Sequence, residues 1–96
     1  MAKTYWIATY RAITNPDKLA AYAELAGPAI TAGGGTILVR GMPIKTYEAG
    51  LNQRTVVIAF DSLEQATATH DSPAYQKALA ALGDGAERDI RLVPGV

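Results

Sequence analysis

Arg54-Thr55-Val56-Val57-Ile58-Ala59-Phe60-Asp61 is the densest β-branched run in the chain, and both of its alternating rows are apolar. Val56, Ile58 and Phe60 form one row; Val57 and Ala59 form the other. A strand with one wet face alternates apolar with polar residues, so this strand reads as covered on both faces. The bulkier row is assigned to helices and the smaller row to a second layer. A chain of 96 residues makes one domain, taken as residues 1–96, with enough helix for one sheet face only. Monomers of this size bury only about 60–65% of their unfolded surface, and association is a usual remedy.

Composition narrows the classes. Hydrophobic residues make up 49% and charged residues 19%, which fits a globular chain and not a disordered one. Nine Lys and Arg are scattered and matched by nine Asp and Glu, so no basic face for nucleic acid is expected. Without cysteine there is no disulfide, no thiolate metal site and no Cys nucleophile, which fits the cytoplasm. Met1-Ala2-Lys3 leads into Tyr5-Trp6-Ile7-Ala8, too short and too mixed for a signal peptide or a membrane span.

Outward from the opening strand, residues Thr4 to Ala12 read as a first strand with rows Trp6, Ala8, Tyr10 and Tyr5, Ile7, Thr9. Asn15-Pro16-Asp17 starts a helix with a cap, a first-position proline and an acid at the positive end. Leu19, Tyr22, Ala23, Ala26 and Ile30 form its apolar stripe, and Gly27-Pro28 predicts a kink or restart near Ala26. Gly33-Gly34-Gly35 ends it. Thr36–Arg40 is a second strand, Gly41-Met42-Pro43 breaks it, and Ile44 to Glu48 reads as a short extension or hairpin arm before a turn at Ala49–Asn52. Ser62 and Gln65 have capping-box spacing for a helix from Leu63 to about Thr69. Ser72-Pro73 restarts it, with Tyr75, Leu79 and Leu82 buried. Gly83-Asp84-Gly85 is a turn, and Ile90, Leu92 and Val93 mark a last strand.

The resulting order predicts a ferredoxin-like βαββαβ α+β fold with a four-stranded antiparallel sheet, its first and third main strands central. Those are the strands with two non-polar rows. Helices cover one face; an uncovered apolar sheet face of several hundred Å² is rare on monomers, so a homodimer through the sheet faces is expected.

Trp6-Ile7-Ala8, Gly33-Gly34, Arg40-Gly41, Gln53 to Glu64, Asp71-Ser72-Pro73-Ala74-Tyr75-Gln76 and Val93-Pro94-Gly95-Val96 together resemble the bacterial domain-of-unknown-function family numbered 1330, within the dimeric α+β barrel superfamily. The resemblance spans nearly the whole chain, and the Ser-Pro-x-Tyr-Gln segment is its most specific part. It implies a subunit whose sheet packs on a second copy's sheet to close a barrel. Relatives in that superfamily include cofactor-free monooxygenases, muconolactone isomerases, dyp-type peroxidases and stress-response proteins, a spread too wide to carry a reaction across. Ala59 and Leu82 stand where members often have an acid and an arginine. A mechanism using those charges does not transfer.

His70, the only histidine, sits beside Asp71 at a helix break and is a candidate acid or base; the plainer reading is an exposed histidine at a helix end. It lacks the companions of a metal site, so no metal is expected. Arg40, Glu48 and Arg54 flank the second and third strands and are candidates for holding a carboxylate or polarising a carbonyl between sheet and helices, or for an edge salt bridge. Arg40 stands out because it falls on an apolar strand and needs a partner if buried. Tyr75, Trp6 and Tyr10 are candidate pocket residues, or simply core. The glycine triplet follows a helix and precedes a strand, the reverse of a phosphate loop. The expected function is a cofactor-free enzyme acting on a small aromatic or carboxylated compound; the alternative is a non-catalytic ligand-binding or structural dimer. The enzyme reading requires a cavity reached by Arg40 and by His70 or Tyr75.

Overall fold

The computed structural model describes residues 3–96; Met1 and Ala2, the start of the segment read above for a signal peptide, lie outside them. The elements are β1 (Thr4–Ile13), α1 (Pro16–Ala32), β2 (Thr36–Gly41), β3 (Thr55–Phe60), α2 (Leu63–Asp71), α3 (Pro73–Leu82) and β4 (Ala86–Pro94). The sheet order is β2-β3-β1-β4 with every pairing antiparallel. This is the ferredoxin-like fold, with its second helical region split in two. As their double apolar rows require, β1 and β3 are central.

Side chains decide which face the helices take. Trp6, Ala8 and Tyr10 of β1 and Val56, Ile58 and Phe60 of β3 are buried in one core with Tyr22, Ala26 and Ile30 of α1 and Tyr75, Ala78 and Leu82 of α3. The alternate row of β1, Tyr5, Ile7 and Thr9, is only half-buried, as is Val57. Ala59 on that row is buried, small enough to sit between its cross-strand neighbours Tyr5 and Thr36.

Asn15 caps α1 by accepting the Lys18 N–H at 3.1 Å. The kink or restart expected near Ala26 does not occur: α1 runs unbroken through Pro28. Pro28 and Glu24 are exposed, so the hydrogen bond that the proline removes from the Glu24 carbonyl falls on the solvent side of the helix. On the opposite side Ala26, Ala29 and Ile30 are buried and hold the helix against the core. Beyond it, Gly34 has φ +89°, open to glycine at no steric cost. Gly35 is needed for space, since a Cβ there would lie 2.7 Å from Ile30 and 2.8 Å from Phe60.

The arm expected at Ile44–Glu48 is absent. Residues 42–54 form an irregular loop with a turn closed by the Gly50 N–H on the Tyr47 carbonyl at 2.9 Å, two residues earlier than predicted. Pro43 has no N–H for a ladder, and Ile44 is fully exposed with nothing to pack against. At the end of the chain β4 begins at Ala86, four residues before Ile90. Arg88, Ile90 and Leu92 therefore stand opposite Tyr10, Ala8 and Trp6, in the row that faces the helices.

Ser62 Oγ accepts the Gln65 N–H at 3.1 Å, while Gln65 returns its side-chain oxygen to the Asp61 N–H at 3.0 Å, one residue before the capping-box position. Ser72 both ends α2 and starts α3: its hydroxyl donates to the Thr69 carbonyl at 2.7 Å and accepts the Tyr75 N–H at 3.2 Å. Ser72→Ala is expected to lower stability by about 1 kcal/mol, read as a fall in urea midpoint at unchanged slope. An unaltered midpoint would show that this junction is held by packing alone.

Candidate functional site

A cavity of about 50 Å³ lies between the sheet and α1. At about 10–15 Å³ of such space per water, it holds a few waters or a group of similar size. Ala8, Val56 and Ile58 form its floor, Ala26 and Ile30 its roof, and Trp6 part of its wall. Its polar lining comes from Tyr10, Tyr22, Arg40, Arg54 and Arg88.

Arg40 reaches this face because β2 is irregular. Ile37 pairs with Ile58 and Arg40 with Val56, whereas Val39 pairs with Val57; the register shifts between Ile37 and Val39. Plain alternation from Ile37 would send Arg40 to the open face. The bulge at Leu38 re-aims it toward the rim of the cavity, a common use of such irregularities, and there Arg40 stays exposed, so burial does not oblige it to find a partner. Arg54 is held by the ladder's continuation, in which the Tyr10 N–H donates to the Arg54 carbonyl at 3.1 Å. Its guanidinium lies 5.9 Å from the Tyr10 ring centre, and its Nε is buried with no hydrogen-bond partner among the described residues.

Arg88 is held by three tyrosines. Its Nη1 donates to the hydroxyls of Tyr10 at 2.9 Å and Tyr22 at 3.1 Å, and its Nη2 to that of Tyr75 at 3.2 Å. It also stacks over the Tyr22 ring, 4.6 Å from the centre. The Tyr22 and Tyr75 hydroxyls are 2.7 Å apart. Burial disfavours the Arg88 charge, but the tyrosine oxygens of Tyr22 and Tyr75 more than offset it and hold the guanidinium above its ordinary value. Burial pushes the Tyr75 hydroxyl well above the usual tyrosine range, the Tyr22 neighbour adds to this, and Arg88 only partly opposes it. Tyr75 is therefore a neutral hydroxyl.

The carboxylates are elsewhere. Asp89 pairs with Arg11 and Arg91, Asp61 with Lys3, and Asp84 with Lys18. Among the described residues Arg40, Arg54 and Arg88 form no ion pair, and no Asp, Glu or His lines the cavity.

Of the residues singled out from sequence, the cavity brings together Trp6, Tyr10, Arg40 and Arg54. Tyr75 is fully buried and stands behind it, touching it through Tyr22. His70 is not brought in. Its ring packs on Trp6 and Tyr75, with centres 5.6 and 5.3 Å apart, Nδ1 lies 3.0 Å from Asp71, and it borders a separate groove with Thr67, Ile90 and Leu92. Glu48 lies on the 42–54 loop in the left-handed region, φ 51°, away from the cavity. Arg88 and Tyr22 were missed as polar site residues. For Arg88 a signal existed: Arg88-Ile90-Leu92 is a period-two row against Glu87-Asp89-Arg91, so a charge occupies an inward position.

The chain matches the family described as Domain of unknown function (DUF1330) over residues 3–96. It belongs to that family. None of the curated protein sequences matches it. Among solved structures it is similar to a protein of unknown function from Rhodopseudomonas palustris, with TM-score 0.73 at 16% identity over 98% of this chain and 81% of that one. It is also similar to SnoaB, a cofactor-independent oxygenase from Streptomyces nogalater, with TM-score 0.68 at 10% identity over 100% and 95%. A dimeric ferredoxin-like protein of unknown function from Thermobifida fusca gives 0.57 at 18% identity over 98% and 92%. At these identities the likeness establishes the fold that the DUF1330 chain shares, and its chemistry rests on its own side chains.

Tyr75 supplies a pH test. An unfolded tyrosine ionises near 10.0 and folded Tyr75 higher, so its contribution to stability is complete below about pH 10 and is lost as pH rises above that. In an ultraviolet titration Tyr75 is expected to ionise only as the chain unfolds in alkali, and Tyr75→Phe to remove that step. A titration curve of the folded protein that Tyr75→Phe leaves unchanged in its most alkaline step would contradict the geometry.

Proposed function

We propose that this DUF1330 protein binds a small carboxylated compound in the cavity between sheet and α1, and works as a homodimer joined through the open sheet face. One observation carries the ligand reading: three arginines border a small, largely apolar cavity, and none has a carboxylate partner. Arg54 and Arg88 are half-buried and Arg40 is exposed at the rim; three like charges around one opening repel each other, and an anion among them relieves that repulsion and pairs the buried Arg54 Nε. Arg40 and Arg54 are the anchors, since Arg88 is already occupied by tyrosines. Trp6 and Tyr10 shape the wall, and Tyr75 orients Tyr22. His70 and Glu48 have no part in this reading. With only arginine and tyrosine as its polar lining, the cavity suits binding and the stabilising of negative charge on oxygen better than proton abstraction.

The dimer reading is supported by the open face. Val39, exposed, pairs with half-buried Val57, and Val93, also exposed, pairs with Tyr5. Below them the 42–54 loop leans over a trough of about 640 Å³, with Tyr47 and Leu51 beside Ile7 and Thr9. The dimeric neighbour from Thermobifida fusca shares the fold.

In isothermal titration, small monocarboxylates should bind one per chain, and Arg54→Met should weaken them about tenfold or more, the loss of a charge-assisted contact. Carboxylates that leave the heat signal flat would refute the ligand reading. Sedimentation should give twice the chain mass at micromolar concentration, and Val57→Asp should yield monomer. A folded wild-type monomer would refute the dimer.

A further inference from the structure

Counting protons in the tyrosine cluster specifies the ligand further. Three hydroxyls, from Tyr10, Tyr22 and Tyr75, each bring one O–H. Arg88 is a donor only, so each hydroxyl oxygen accepts from it and none can give its proton back. The single contact between Tyr22 and Tyr75 consumes one of the three protons. Two remain without an acceptor among the described residues.

Their placement follows from burial. Tyr75 is fully buried and does not border the cavity. If Tyr22 donated to Tyr75, the Tyr75 proton would be stranded in the core, at a cost of roughly 1–3 kcal/mol. Donation from Tyr75 to Tyr22 removes that cost and leaves the Tyr22 proton free on the cavity side. The Tyr10 proton is free there too. The cavity therefore offers two neutral O–H donors set by Arg88 and, beside them, cationic donors from Arg54 and Arg40. It offers no side-chain acceptor from an acid or a histidine.

A ligand that satisfies this lining needs two kinds of acceptor close together: an anionic pair of oxygens for the guanidiniums and a neutral oxygen for the hydroxyls. It must also be small. Resting on the carboxylate reading above, we propose that the cavity takes a short 2-oxo carboxylate, its carboxylate on Arg40 and Arg54 and its keto oxygen on the hydroxyls of Tyr22 and Tyr10. Tyr75 donates its own proton to Tyr22 and so leaves the Tyr22 proton for the keto oxygen. A plain alkanoate meets only the arginines and leaves both hydroxyl protons unpaired.

The test is titration calorimetry with pyruvate, propionate and inorganic phosphate on the wild-type chain, Tyr22→Phe, Tyr10→Phe, Tyr75→Phe and Arg54→Met. Pyruvate is expected to bind about tenfold more tightly than propionate, two hydrogen bonds of ordinary strength. Tyr22→Phe and Tyr10→Phe should each reduce that ratio several-fold, whereas Tyr75→Phe, which removes the one inward acceptor open to Tyr22, should keep it. Arg54→Met should weaken both carboxylates and keep the ratio. Because the ratio is taken within one protein, a loss of folded fraction cancels, and Tyr10→Phe serves if Tyr22→Phe fails to fold. Equal binding of pyruvate and propionate, still dependent on Arg54, would overturn the 2-oxo assignment and leave the carboxylate reading intact. Binding of neither, or tighter binding of phosphate, would remove both.

Discussion

A guanidinium inside a small α+β domain has to be solvated by the protein, and here three tyrosine hydroxyls do it. Each comes from a different element: Tyr10 from β1, Tyr22 from α1, Tyr75 from α3, with Arg88 itself on β4. Arg88 is half-buried, and the three hydroxyls replace water that it has lost, so withdrawal of any one element leaves part of the guanidinium unpaired. The cluster thus joins both edges of the helical layer to the sheet more specifically than apolar contact does. It also explains why Arg88 has no acid beside it. A carboxylate would neutralise the charge and would also take the hydroxyl protons that now remain free.

The sheet has two irregularities, and one of them builds the site. In β2 the shift around Leu38 brings Arg40 to the helix face. Between β1 and β4 the shift lies at Arg11, just after the Tyr10–Arg88 pair; Arg11 already shares the open face with Thr9, whose cross-strand partner Asp89 it pairs with. Regular alternation would remove Arg40 from the cavity and leave the apolar floor unchanged. The fold and the site are therefore separable, which is how one scaffold hosts different chemistries.

How much of this could be read in advance varied with the physics involved. The sheet order followed from the two apolar rows of Val56–Phe60 and of Trp6–Tyr10, because a central strand lacks the plain apolar–polar alternation and so differs at every residue. Caps at Asn15, Ser62 and Ser72 were readable for the same reason, since each is a local hydrogen bond. Pro28 misled, because its cost depends on whether the freed carbonyl meets water, and that is a tertiary fact. Arg40 stood out on composition, but the bulge that aims it belongs to the pairing with β3 and has no signature in β2 alone. Arg88 was lost by starting the last strand at Ile90. Even with the strand placed correctly, nothing local announces that three tyrosines far apart in sequence converge on it.

His70 shows where a residue-type argument fails. A lone histidine beside an acid invites an acid–base role, and its neighbours Trp6 and Tyr75 do belong to the site or its support. Yet Trp6 borders the cavity and His70 borders a different groove, shared with Ile90 and Leu92. Proton transfer needs heavy-atom contact of about 3 Å or one bridging water, and a ring on the far side of a packed indole provides neither. The cavity's own polar groups are arginines and neutral tyrosines, which donate. A site made only of donors can bind an oxyanion and lower the energy of one that forms, but the proton that must leave in such a reaction has to be taken by the bound compound itself or by water. Any chemistry here is therefore set by the ligand's own acidity, with the protein supplying charge and orientation.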